Sequence, residues 1–327
     1  MIDPTQQCSV LSEQLAEPLA GSAPLARTWV VLEQPGPFGF KALHQSHLPK
    51  EIGDAFAAAT DKSSVTVLLA RPVGPHADHH HPGSHRFWVA HVAPGGVRMR
   101  TGTVADLSEL VTADLPEVMA RAGRGELPPW GRRTDEPLLL VCTNGSRDVC
   151  CALNGRPLAA ELAQDPAYAG QVIEVSHLGG HRFSPTALLL PTGMSYGRLT
   201  ARTARLALDQ ARHRRLSIEG ARGLTALARP AQAADLMVRR TQDVQVADAI
   251  DVLRSSPVGK LTNAPLRWDG DGLDAVTLVV RHEDGRAWNV TVQRVLDPTP
   301  RAESCGKAPV PGRSWVAADP VPTHPWR

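Results

Sequence analysis

Five cysteines in 327 residues (Cys8, Cys142, Cys150, Cys151 and Cys305) are too few and too unevenly spaced for the disulfide framework of a secreted domain. No apolar run reaches the roughly 18 residues that a membrane-spanning helix needs. The first residues, Met1 to Gln7, have neither the positive start nor the apolar stretch of an export signal, so the expected setting is reducing and cytoplasmic. An excess of one charge sign is lacking too. The 35 basic and 33 acidic residues leave +2, which excludes a surface built throughout for nucleic acid. Neither G-x-G-x-x-G nor G-x-x-x-x-G-K-[ST] occurs, so the chain is expected to hold no flavin or NAD and to receive any electrons from another protein.

What is present is ordinary globular material, 42% hydrophobic and 21% charged, in a length that suits two or three units. Residues 1–130 form the first, an α/β unit with strands expected at Trp29 to Glu33, Val65 to Leu69 and Arg86 to Ala90, and a helical stretch around Ile52 to Ala57. The segment Gly123 to Gly131, rich in Gly and Pro, reads as a linker. A second unit, 135–230, opens on Pro137-Leu138-Leu139-Leu140-Val141, a strand buried on both faces. A cysteine-bearing loop follows, then a helix from Arg156 to Ala163, a strand at Gln171 to Val175, a loop with two histidines, a strand at Ala187 to Leu190 and a helix from Thr200 to Arg215. This β-α-β-β-α order is compatible with a thioredoxin-like sheet. The remainder, 231–327, is a C-terminal extension with a helical pattern from Val246 to Leu253, a hairpin turning at Asp284-Gly285 and a proline-rich tail running over the surface. The sequence contains no internal repeat.

The chemistry concentrates in Cys142 to Cys151 and in His177-Leu178-Gly179-Gly180-His181. Each stretch follows a strand and one helix separates them, so both are expected at the same end of a sheet. Two thiolates and two imidazoles suit iron-sulfur or zinc rather than magnesium or calcium. Zinc fingers of this ligand set place their histidines on a helix, and Gly179 and Gly180 argue against one there. The glycines would also let backbone approach an inorganic core, and the eight residues between Cys142 and Cys151 would form a wide loop, more natural around two irons than around one zinc.

These features resemble the sucrase/ferredoxin-like family, whose relatives include thioredoxin-like 2Fe-2S ferredoxins and fungal bis-histidinyl, non-Rieske members. The resemblance rests on Cys-x8-Cys at Cys142 and Cys151, His-x3-His at His177 and His181, Pro191 to Leu199, Trp29 to Gly39 and Ser304-Cys305-Gly306. It implies a thioredoxin-like ferredoxin unit preceded by a degenerate thioredoxin-like unit, with a 2Fe-2S cluster on Cys142, Cys151, His177 and His181. Cys150 stands beside the pattern, and the spacing favours Cys151. The function implied is that of an electron carrier rather than an enzyme. Two thiolates and two neutral imidazoles leave the oxidised site formally neutral, which favours a high potential. A ring N–H that becomes more acidic on oxidation would couple the electron to a proton.

Other readings compete. The same four ligands could hold zinc in a structural or interaction module, and Cys150-Cys151 could serve thiol-disulfide exchange, although the C-x-x-C spacing is missing. Gly193-Met194-Ser195-Tyr196-Gly197 matches the nucleophile pattern of a serine hydrolase. His76, His79, His80, His81 and His85 crowd one loop and read as solvated, with adventitious metal binding the alternative. Between Arg198 and Arg229, eight arginines face only Asp209 and Glu219, a basic face that is solvated or docks an acidic redox partner; nucleic acid is disfavoured because aromatic interleaving is missing. Cys8 and Cys305 lack neighbouring ligands in sequence and read as isolated buried or half-buried thiols.

Overall fold

Runs of Val, Leu, Ile and aromatic residues punctuated by Gly, Pro and Asp set the order of elements in this computed structural model, which describes residues 7–61, 63–74, 83–93, 98–255 and 260–323. The first part comprises α1 (Cys8–Gln14), β1 (Thr28–Glu33), α2 (Ala42–Gln45), α3 (Lys50–Thr60), β2 (Val65–Arg71), β3 (His85–His91), β4 (Arg98–Val104), α4 (Leu115–Gly123) and β5 (Arg132–Arg133). The centre comprises β6 (Leu138–Cys142), α5 (Val149–Ala163), β7 (Val172–Val175), β8 (Ala187–Leu190), β9 (Met194–Tyr196), α6 (Ala201–Arg212) and β10 (Ala221–Leu224). Then come α7 (Arg229–Thr241), β11 (Ile250–Ser255), β12 (Leu261–Asn263), β13 (Ala275–His282), β14 (Ala287–Arg301), β15 (Val310–Ala317) and β16 (Val321–Thr323).

The chain is α/β, and among the described residues its first ten strands form one sheet in the order β10-β9-β8-β6-β7-β2-β1-β3-β4-β5. That order is mirrored about its middle. In each half a strand, a helix and a parallel strand are followed by two antiparallel strands and a second helix: β1-α3-β2-β3-β4-α4 and β6-α5-β7-β8-β9-α6. The sequence carries no repeat, yet the topology does. Strand order depends on which positions are apolar, and many sequences satisfy the same pattern.

The halves meet where β2 pairs antiparallel with β7 through Ala70 and Val175 and through Arg71 and Glu174. The Arg71 guanidinium donates to Glu174 Oε2 at 3.0 and 2.9 Å, with the side chains only 4% and 3% exposed. Thr143 Oγ1 donates to the same oxygen at 2.7 Å, and Arg71 also reaches Gly36 O and stacks on Phe38. Burial pulls the Arg71 pKa down and the Glu174 carboxylate opposes it.

Alternation along β6 explains its uniform burial. Leu139 and Val141 pack with Leu158, Leu162 and Leu208 on one face, while Leu138, Leu140 and Cys142 pack with Trp29, Leu68 and Val175 on the other. The C-terminal residues form a second sheet, β12-β11-β13-β14-β15 with β16 on β14, covered by α7 through Ala231, Ala234 and Val238.

Several sequence-based expectations need correction here. Residues 250–253 belong to β11, not to a helix: Ile250 and Val252 are buried with Asp251 exposed between them, and a period of two outweighs the helix-forming alanines upstream. The proline-rich tail forms β14, β15 and β16; Pro300 opposes Pro311 beside a register shift, a place where a ladder tolerates missing N–H donors. Helix α5 begins at Val149, seven residues before the expected start, because the Asp148 carboxylate caps it by accepting from the Cys150 amide. No helix among the described residues is long and apolar enough to cross a membrane.

Candidate metal centre

The parallel strands β6 and β7 deliver the key side chains to one end of the sheet. Cys142 closes β6, and His177 follows β7 after one residue. The early start of α5 corrects the expected wide loop: Cys150 and Cys151 lie in the first helical turn. Successive residues of a helix point about 100° apart, so the two thiols look in different directions. Cys151 faces Cys142 and His177, whose donor atoms with its own all lie within 4.8 Å of one another.

A second turn of α5 sets that distance. Gly155 lies so close to β6 that a Cβ there would sit 2.3 Å from the Cys142 carbonyl oxygen. Gly155→Ala is therefore expected to push the helix away from the strand and cost about 1–3 kcal/mol, read as a lower unfolding midpoint in urea. An unchanged midpoint would show that the helix can shift freely.

His181 opens a 3-10 turn, His181–Phe183, and its ring centroid lies 5.3 Å from that of His177. It falls outside the 4.8 Å group, so three of the four expected ligands are brought together and the fourth stands beside them. His181 Nε2 is 3.7 Å from Asp148 Oδ2, whereas the Nδ1 atoms of both histidines are buried without a hydrogen-bond partner among the described residues. Such orphaned nitrogens carry a desolvation cost unless something ligates them.

Gly179 and Gly180 form a loop with positive φ (82° and 74°), as the glycine argument against a helix anticipated. A Cβ on Gly180 would lie 2.1 Å from the Nη2 of Arg222, so a guanidinium crowds this position, whereas Gly179 has open space where a Cβ would be. Arg222 is fully buried, donates to Gly179 O at 3.0 Å, and is pushed down to about 9 by burial and by nearby Arg182 and Arg229.

The neighbouring thiols of Cys142 and Cys151 influence one another's protonation. The Cys142 thiol is held well below its usual range, first by hydrogen bonding with Cys151, against the effect of burial, and then by His177. Cys151 is correspondingly raised by that bond and by burial. Burial lowers the pKa of His181, with the Asp148 carboxylate opposing it. For Asp148 burial alone would raise the carboxyl, but the Cys305 amide, the Ser304 hydroxyl and His181 together hold it down.

The other face of the α5 terminus overturns the reading of Cys8 and Cys305 as isolated thiols. Cys150, Cys8 and Cys305 lie with Asp148 as four donors within 4.8 Å of one another. Sequence distance hid this, because Cys8 and Cys305 lie 142 and 155 residues from Cys150. The usable signals were the vicinal cysteines, which cannot both face one site, and Ser304-Cys305-Gly306 near the tail.

The remaining candidates resolve differently. Ser195 lies inside β9, 1% exposed, with the Arg222 guanidinium 3.5 Å away, so it does not occupy the strand-to-helix turn that a hydrolase nucleophile needs. His76, His79, His80 and His81 lie outside the described residues; His85 is in β3 and bonds Glu33 O through its ring. Among the arginines, Arg202, Arg205, Arg212 and Arg214 each face a carboxylate, respectively Glu219, Glu161 with Asp165, Asp209 and Asp248.

A search of the curated proteins and one of the solved structures each returned no match. A family model does match, over residues 19–222, which is more than half of the chain and includes Cys142, Cys151, His177 and His181 while leaving out Cys8 and Cys305. The chain belongs to the sucrase/ferredoxin-like family.

Proposed function

We propose that the protein is a one-electron carrier whose 2Fe-2S cluster is held by Cys142, Cys151, His177 and His181. The observation that carries this reading is the pair of buried imidazole Nδ1 atoms without a partner among the described residues, beside two buried thiols whose sulfurs lie within 4.8 Å of each other. The donor set fits: sulfur and nitrogen, with no carboxylate in the group formed by Cys142, Cys151 and His177. The mirrored strand order, each half with the β-α-β-β-β-α sequence of elements, supports a thioredoxin-like ferredoxin half preceded by a degenerate one. A reducing, cytoplasmic setting is part of this proposal.

When bound, such a cluster stores and releases one electron. The chain's own residues do the rest. Cys142 and Cys151 supply the negative charge, and their complete burial with Leu178 keeps water from the sulfurs. Asp148 lies where it can hold a proton on His181 Nε2. A partner protein must bring the electron, and an acidic one would meet the segment from Arg198 to Arg229, with association weakening as salt is added.

Iron, acid-labile sulfide and zinc should be measured on protein purified without air, together with its visible and paramagnetic spectra. Reddish-brown material with iron and sulfide in equal amounts is expected; colourless material holding zinc at these ligands would end this reading. The potential should be constant in acid and fall above the oxidised-state pKa of the ring N–H, because reduction then takes up a proton, with a limiting slope of about 59 mV per pH unit. A potential that does not move between mildly acid and strongly alkaline pH would remove the proton from the scheme.

A further inference from the structure

We propose that Cys8, Cys150, Cys305 and Asp148 form a second site, which takes a single zinc-class ion. The inference rests on a cluster distinct from the four ligands assigned above, and three segments of the chain build it. Cys8 is the first residue of α1, Cys150 is in the first turn of α5, and Cys305 is in the connection between β14 and β15.

The sulfurs form a triangle with edges of 3.3 Å (Cys150 to Cys305), 3.6 Å (Cys8 to Cys150) and 3.6 Å (Cys305 to Cys8). Tetrahedral zinc with Zn–S bonds near 2.3 Å needs edges of ~3.8 Å, so a small outward shift would admit one ion. Asp148 completes the set, its Oδ1 and Oδ2 lying 3.6 and 3.7 Å from Cys8 Sγ. Oδ2 already accepts from Ser304 Oγ and the Cys305 amide at 2.8 Å each, while Oδ1 accepts from the Cys150 amide at 3.0 Å and from the Cys8 thiol, whose proton leaves when Cys8 ligates. Oδ1 therefore keeps a lone pair for a metal.

The surroundings are those of thiolate ligands. Ser9 Oγ donates to Cys150 Sγ at 3.3 Å, and the Cys8 amide donates to Cys305 Sγ at 3.4 Å. A disulfide would use two of the three sulfurs and leave the third buried, whereas one soft-to-borderline ion satisfies all three. Binding Zn2+ releases a proton from each thiol that ligates and leaves the oxidation states unchanged. Helix α1 has only 7 residues, too short to hold itself, so the ion would fasten it and the β14–β15 connection to α5.

The test is zinc and iron analysis of the full chain, expressed with zinc supplied and dialysed against a weak chelator. We expect about one zinc per chain. Cys8→Ser and Cys305→Ser should each lower it at least tenfold while keeping iron, sulfide and the visible spectrum. Cys151→Ser should do the reverse, keeping zinc and losing iron. In the unmodified protein, a strong chelator should expose three thiols to alkylation and make α1 sensitive to protease, a readout that does not depend on the variants folding. Zinc below about 0.1 per chain, zinc retained in both serine variants, or a Cys150–Cys305 disulfide in anaerobic material would each overturn the proposal. Iron-free protein that still loses its zinc in Cys8→Ser would overturn the electron carrier and leave this site standing.

Discussion

Cys151→Ser is expected to lower bound iron and acid-labile sulfide at least tenfold and to bleach the visible spectrum, while Cys150→Ser retains both. The two residues are neighbours in sequence and in the same helical turn, so a general loss of helix stability would affect them alike. Geometry separates them. Cys151 has Cys142 and His177 within 4.8 Å, whereas Cys150 touches Cys8, Ser9 and Cys305. A serine hydroxyl is a poor ligand for iron because its alkoxide is far less accessible than a thiolate at neutral pH. Equal loss in both variants would refute the division of the helix terminus into two faces. A coloured Cys151→Ser protein together with a colourless Cys150→Ser protein would move the ligand to the other thiol.

The second large effect concerns the potential. His177→Cys and His181→Cys together should lower it by several hundred millivolts, with each single change supplying part. Exchanging two neutral imidazoles for two thiolates takes the oxidised site from formally neutral to a charge of −2, and adding an electron to an anion is harder. Rieske centres differ from all-cysteine ferredoxins in this direction, at roughly −150 to +300 mV against about −400 mV. Electrochemistry on the reconstituted variants reads the shift directly. A doubly substituted protein that binds iron and sulfide with its potential unmoved would place the histidines outside the ligand shell. The pH dependence described above should vanish in the same variant, since no ring N–H remains.

The central half of the fold was legible because its strands are nearly continuous apolar runs, and each strand–helix–strand step fixes which end of the sheet the intervening loops occupy. That is how His177 could be expected to converge with Cys142 and Cys151 although it lies 35 and 26 positions beyond them, as it does. What remained hidden needed information that local pattern does not hold. The cap that starts α5 at Val149 depends on Asp148, and a carboxylate there can equally belong to a loop. Gly180 could be read as non-helical, but its crowding by Arg222 comes from a residue 42 positions later, on β10. Cys8 and Cys305 became partners only through tertiary contact, and the alternation of Ile250 and Val252 was obscured by alanines typical of helices.

The buried pair of Arg71 and Glu174 bears on how this protein can be dissected. A fragment starting at residue 135 would remove the Arg71 guanidinium, which donates twice to the buried Glu174 carboxylate across the β2–β7 seam. It would also uncover one flank of β7, whose open amides and carbonyls invite pairing between copies and precipitation. Thr143, which follows Cys142 directly, hangs on that same carboxylate, so the damage would travel into the thiol pocket. Among the described residues the half ending at β5 adds no donor to the group of Cys142, Cys151 and His177, yet through Arg71, Glu174 and Thr143 it acts as the counterweight that braces the strand ends carrying them.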